Sequence, residues 1–306
     1  MSRRVNDALL AAALRLAAVA SGSIVLLIVG FLLVEAWPAL SGGGASDAQT
    51  GIGLSRFLGD PSWHPSEGRF NLVPMVAASL LAMAGAMLLA GPLGLASALF
   101  CSWYAPRPVA AAYRRLLELL AGIPSVVYGF WGLVVLVPLV ARWAPPGASL
   151  LSGVAVLTLM VLPTVALLSE AAIKQVPADA VRGAGALGLG RWSTLRRVVL
   201  PAARGGVATA CLLAGGRAIG ETMAVLMVCG NVVQTPTSVF DPVRTLTANI
   251  ALEMGYAFGP HRAALFVTGL ILLAVVIALV MLAGLIGRTP GSPETSGKLV
   301  TGGARA

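Results

Sequence analysis

From Phe70 to Pro106 the chain carries no charged side chain. Water gives no reason for so long an uncharged stretch. A lipid bilayer does, because a helix of about 20 predominantly apolar residues crosses its hydrocarbon core. Two other runs, 16–34 and 263–287, are equally free of charge. The first is longer than the roughly 7–15-residue core of a signal peptide and reads as a retained spanning helix. Composition agrees: 58% hydrophobic and 11% charged residues exclude a disordered chain and suit a water-soluble domain poorly. The net charge of +9 belongs to loops beside a membrane, since basic nucleic-acid binders are not this apolar.

The expected fold class is an all-α polytopic membrane protein with six transmembrane helices. The first covers 16–34 and is followed by an external loop, 36–69, with a short surface helix at Leu54–Leu58. The second lies within 70–106, interrupted at Gly91-Pro92, and a short loop carries Arg107, Arg114 and Arg115. The third and fourth cover 116–141 and 143–169. A polar block, 170–204, precedes the fifth helix at 206–229 and the sixth at 263–287. The segments group as 1–69, a transmembrane domain over 70–287 containing the block, and a tail over 288–306. Placing both termini inside puts the basic residues of the N-terminus, of 107–115, of 170–204 and of the tail on one side. Only Arg56, Arg69, Arg142, Arg244 and Arg262 remain opposite. That asymmetry predicts an N-in, C-in orientation.

Cys101, Cys211 and Cys229 all lie in or beside apolar runs, and His64 and His261 sit in separate loops. No disulfide framework or metal-ligand spacing results. No Walker-type glycine loop occurs, so nucleotide chemistry must come from a partner.

Two charges interrupt the fifth apolar run, Arg217 and Glu221. Four residues apart, they are expected to share a helix face and pair. An arginine at mid-membrane costs roughly 2.5–3.5 kcal/mol on insertion scales, so neither residue faces lipid. Gly216 and Gly220 at the same spacing would admit a second helix closely. Two readings stand: a structural ion pair that fixes packing, or an anion site, since a guanidinium matches a tetrahedral oxyanion in two-point contact. Thr222 either bonds that anion or caps its own backbone. Pro124-Ser125 either supplies a kink and a hydroxyl to the pathway or only ends the first turn of the third helix. Asn231 reads as a C-terminal cap, and Trp37, Trp103 and Trp143 as interfacial residues.

The block 170–204 is long for a connection between helices, and loops of that length are usually functional. It reads as two short helices broken near 183–190. Its segment GALGLGRWSTLRRVVLP resembles the EAA loop of permeases of ATP-binding-cassette importers. Aligned on Leu200-Pro201, the pattern falls on Val198, Gly188 and Ala184, with Gly183 at its first alanine and Arg182 at its glutamate. The literal Glu170-Ala171-Ala172 lies twelve residues too early. The strings GRAIGETMAVLMVCGN, ELLAGIPSVVYGFWGL (118–133) and TPTSVFDPVRTLTANIALEMG (235–255) resemble the PstC-type permease subunit of phosphate-specific transport (Pst) importers.

This resemblance implies the type I importer permease fold in a prokaryotic inner membrane, and phosphate translocation by alternating access. It implies a substrate pathway through Arg217, Glu221, Thr222 and Ser125, and a coupling surface of Arg182, Ala184, Gly188, Trp192, Val198, Leu200 and Pro201. Implied partners are a PstA-type permease, two PstB-type ATPases that hold ATP and Mg, a PstS-type external phosphate-binding protein, phosphate itself and membrane lipid. The chain is then no enzyme and carries no cofactor of its own. Transport of a related oxyanion (sulfate or molybdate) and a phosphate-sensing role in the same complex are the alternatives.

Overall fold

The structure is a computed structural model that describes residues 2–41 and 52–287; the expected tail, 288–306, lies outside the described residues. Its helices are α1 (Ser2–Leu40), α2 (Leu54–Gly59), α3 (Val73–Leu99), α4 (Arg107–Gly122), α5 (Ser125–Trp131), α6 (Val137–Ala141) and α7 (Leu150–Lys174). They continue with α8 (Ala178–Ala186), α9 (Arg191–Thr194), α10 (Leu200–Ile219), α11 (Met223–Val228), α12 (Leu246–Glu253) and α13 (Gly259–Gly287). Two two-residue strands, β1 (Trp63–His64) and β2 (Arg69–Phe70), pair antiparallel. Five stretches are long and apolar enough to cross a membrane, and a sixth results if the bent pair α4 and Ser125–Ala141 counts as one.

The centre of the bundle is α3 against α7. Ala78, Ala82, Ala86 and Ala90 recur every fourth residue along α3 and are all buried. In lipid, helices associate through close packing rather than hydrophobic burial, and small residues permit it. Against the alanine stripe lie Val156, Leu157, Met160, Val161 and Val165 of α7, with Ala214 and Ala218 of α10. By contrast, the long apolar part of α1 is exposed, as a lipid-facing helix must be.

The element boundaries correct the expectation in four places. Pro92 does not interrupt α3, which runs through it to Leu99, with Ala90 and Gly94 on either side of it buried. Residues 107–115 are not a loop but the first half of α4. The third helix, expected at 116–141, breaks at Ile123-Pro124 with a 90° turn. Proline disfavours helical geometry in the residue before it, and Ile123 is extended at ψ 129°. Tyr128 ties the elbow by donating to the Leu120 carbonyl at 2.8 Å, which also accepts from Ile123 N at 3.2 Å. Finally, α7 begins at Leu150 and continues to Lys174, so the first residues of the polar block are helical.

At the far end, one buried carboxylate joins four elements. Glu253 of α12 accepts from Trp63 Nε1 at 2.9 Å and from Arg244 Nη1 at 2.6 Å, and His261 Nε2 lies 2.8 Å from it. The nearby loop is held by Asp241, whose carboxyl is kept below its usual range by the backbone N–H groups of Ser238 and Thr237 and the Thr237 hydroxyl.

Candidate functional site: a break in the fifth helix

The apolar run around Arg217 is not one helix. The segment expected at 206–229 instead begins as α9, passes through a π turn at Leu195–Val199 into α10, and stops at Ile219. Gly220 is its cap, and α11 starts only at Met223. The expected Arg217–Glu221 pair is therefore absent, because four-residue spacing aligns side chains only along an unbroken helix. Glu221 turns forward: its Oε1 accepts the Ala224 N–H at 3.2 Å, a donor that the start of α11 leaves without a helical partner. The Thr222 hydroxyl lies 3.4 Å from the Gly220 carbonyl, so it serves its own backbone.

Arg217 is left without a partner. It stands in the last turn of α10, where the carbonyl end of the helix favours a cation. Its residue is exposed, and it makes no hydrogen bond or ion pair among the described residues. Gly216 beside it has nothing within 4 Å of where a Cβ would stand, so the expected close helix neighbour is missing too.

What covers the break comes from segments remote in sequence. Thr247, near the start of α12, donates to the Glu221 carbonyl at 2.8 Å. Thr245 caps α12 by accepting from Ala248 N at 3.2 Å, and Ser79 of α3 accepts from Leu246 N at 2.9 Å. A net hydrogen bond contributes about 1 kcal/mol, roughly fivefold in an equilibrium. Thr247→Val is accordingly expected to weaken transport about fivefold while leaving the amount of assembled protein unchanged; uptake at the unmodified rate would remove Thr247 from the site.

The wall opposite α11 is α5. At Gly129 an added Cβ would stand 2.8 Å from Ala224 Cα and 2.9 Å from Met227 Sδ, so α5 touches the backbone of α11. Ser125 starts α5, half-buried, and makes no side-chain hydrogen bond among the described residues. The fold thus brings Arg217, Glu221 and Thr222 to one break and sets Ser125 one turn before the contact that walls it. Thr247 and Gly129 were the residues that sequence reasoning missed, although both lie in stretches it had singled out.

A groove of about 470 Å³ leads toward the break between α7 and α10, lined among others by Gln175, Gly206, Thr209 and Leu213. Arg217 is one helical turn beyond Leu213.

At the groove's other end stands the α8–α9 hairpin. Gly188 forms its corner at φ +76°, a conformation that costs a residue with a side chain about 1–2 kcal/mol. Ala184 is buried inside the corner, where Leu189 N donates to its carbonyl at 3.1 Å. Leu187 and Trp192 project outward at 83% and 60% exposure. Val198 and Leu200 are half-buried and Pro201 exposed. Leu195, Val199 and Ala203 pack on Ala98 of α3 and Ile173 of α7, so the hairpin is anchored to the spanning helices. Arg182 is exposed and pairs with Asp179. The literal Glu170 lies inside α7 and is buried, far from the hairpin's outer face.

Residues 90–289 match the family described as "Binding-protein-dependent transport system inner membrane component". The chain belongs to this family. The permease is 40% identical over 238 residues to the "Probable ABC transporter permease protein YqgH" of Bacillus subtilis, covering 76% of this chain and 77% of that one. It is 33% identical over 305 residues to the "Phosphate transport system permease protein PstC" of Mesorhizobium japonicum, covering 91% and 89%. Its fold is similar to an inward-facing MetNI methionine ABC transporter (TM-score 0.54, 17% identity, 71% of this chain and 93% of that one). It is also similar to a bacterial transporter importing alginate (TM-score 0.58, 13% identity, 88% and 95%). The permease is thus a multi-pass membrane protein of the ABC-importer kind. It is not itself an enzyme: such a permease works with a binding protein and with an ATPase that hydrolyses the nucleotide.

Proposed function

We propose that this chain is the PstC-type subunit of an ATP-driven phosphate importer and that the break at 220–222 is where phosphate passes. One observation carries the reading: Arg217 is exposed and unpaired at a break in a spanning helix. Irregular backbone at membrane depth survives only where protein or water covers it. Half-helix ends at such breaks are where transporters hold ions. An arginine with five free donors suits a tetrahedral oxyanion better than any neutral ligand. The relatives named for phosphate transport support the choice of anion.

In this reading the exposed face of Arg217 and Gly216 meets a PstA-type permease, which closes the groove into a pathway. A PstS-type protein delivers phosphate from outside. Two PstB-type ATPases, holding ATP and Mg, receive Leu187 and Trp192 at the α8–α9 corner. This chain contributes no cofactor. ATP binding moves the hairpin, and the continuous span of α9, the π turn and α10, Arg191–Ile219, carries that motion to Arg217. Gly188→Val strains the corner, so the variant is expected to insert normally but to copurify with several-fold less ATPase; undiminished copurification would place the docking site elsewhere.

Cells whose only importer contains this chain test the reading through uptake of radiolabelled phosphate. ATP-dependent uptake that arsenate competes for, and sulfate or molybdate does not, is expected. Equal competition by sulfate or molybdate overturns the choice of anion, and uptake surviving ATP depletion overturns the importer class.

A further inference from the structure

The last turn of α7 holds a charge cluster that the Arg217 pathway does not use. Glu170 is 3% exposed, yet both its oxygens are engaged. Arg114 Nε donates to Oε2 at 3.0 Å, Arg114 Nη2 donates to Oε1, and Lys174 Nζ stands 2.9 Å from Oε1. Arg114 comes from α4, fifty-six residues earlier. An exposed ion pair contributes little. Here the carboxylate is buried and Arg114 half-buried, and a two-point guanidinium–carboxylate contact fixes geometry, so removing the cation leaves a buried charge short of partners.

The position of this contact is what gives it a consequence. Lys174 ends α7 just before α8 opens the hairpin. Beyond Arg114, α4 runs to the 90° elbow at Ile123-Pro124 and continues as α5, whose Gly129 abuts α11. The side of α4 that carries Tyr113 is steadied on α3 by the Tyr113 hydroxyl at 3.0 Å from Ser97 and by its ring against Phe100. Thus the hairpin reaches the break by two routes. One is α10, which carries Arg217 itself. The other is Glu170, Arg114 and the α4 lever, which carries the wall against α11.

We propose that Arg114 and Glu170 are positioning residues of the transport cycle: their contact makes the α5 wall move with the hairpin, so that the site opens in step with ATP hydrolysis. The inference rests on the importer reading of the hairpin and not on which anion is carried. A purely structural pair would predict something different. Its loss would lower the amount of assembled complex, and hydrolysis and transport would fall together.

The test is the number of ATP molecules hydrolysed per phosphate transported, measured on the complete complex in proteoliposomes. The unmodified complex is compared with Arg114→Gln, Glu170→Gln and the double variant. Each single variant is expected to hydrolyse ATP within about twofold of the unmodified rate while the ATP-to-phosphate ratio rises at least fivefold. The double variant is expected to match either single one, because the two residues act through one contact. A ratio unchanged in all three overturns the proposal, and so do effects that multiply in the double variant. Should a single variant fail to assemble, the double variant still decides, since it removes both charges of the contact and leaves only Lys174, half exposed, without its carboxylate. An unmodified complex that moves no phosphate would instead be a failure of the transport reading itself.

Discussion

Replacing Arg217 with lysine is expected to lower phosphate uptake about thirtyfold while leaving insertion and partner assembly intact. Lysine keeps the charge but loses the planar fork, so two-point contact with a tetrahedral oxyanion becomes one-point contact. A charge-assisted hydrogen bond contributes about 2 kcal/mol, which corresponds to roughly a thirtyfold change. Nothing in the fold depends on the fork, because Arg217 makes no bond among the described residues. Loss of function with assembly intact therefore separates a substrate contact from a packing role. Initial uptake rates and the yield of purified complex measure the two quantities. Near-normal uptake by Arg217→Lys would remove the anion contact from the account.

The second large effect is expected at Gly129. A valine there meets Ala224 Cα, Met227 Sδ and the Met223 carbonyl, all within 3.4 Å of the new Cβ. The methionine can swing away, but the backbone of α11 cannot. Overpacking of this kind costs about 1–3 kcal/mol even where only side chains yield, so α5 and α11 separate and the break loses its wall. Uptake by Gly129→Val is expected to fall at least twentyfold, with a lowered melting temperature of the solubilised complex. Gly129→Val combined with Met227→Ala relieves only the sulfur contact and is expected to recover little. Full recovery in that pair would show that α5 need not touch the α11 backbone.

Much of the architecture could be read from the chain because the membrane imposes it. The uncharged runs became α1, α3 and α13, and the short surface helix expected at Leu54–Leu58 is α2. The hairpin was legible from its glycines and Pro201. What failed were helix boundaries: the runs at 217–221 and 116–141 were read as continuous and are broken, while Pro92, 107–115 and the start of the polar block were read as interruptions and are helical. Arg217 and Glu221 are four apart, but the helix ends between them, and its open carbonyl is met by Thr247, twenty-six residues later. No local pattern around Gly220 announces that partner. Pro124 was visible as a kink or the end of a first turn, yet the chain turns there through 90° and is tied by Tyr128 reaching back to Leu120. Glu170 read as the first residue of a polar loop, because its burial is made by Arg114 on a helix that had itself been read as a loop. The features at Glu221 and Glu170 share one cause: a polar group is satisfied by an element distant in sequence.

The central claim is that phosphate occupies the break beside Arg217, and protection of a neighbouring residue tests it directly. Thr222→Cys, in a chain whose three native cysteines are replaced by alanine, places one thiol at the break without touching Arg217. Its rate of modification by a methanethiosulfonate reagent is measured in the assembled complex, trapped open by ATP withdrawal. Saturating phosphate is expected to slow the reaction at least tenfold and sulfate to leave it unchanged, with protection abolished by adding Arg217→Gln. Modification at one rate with and without phosphate would contradict the account.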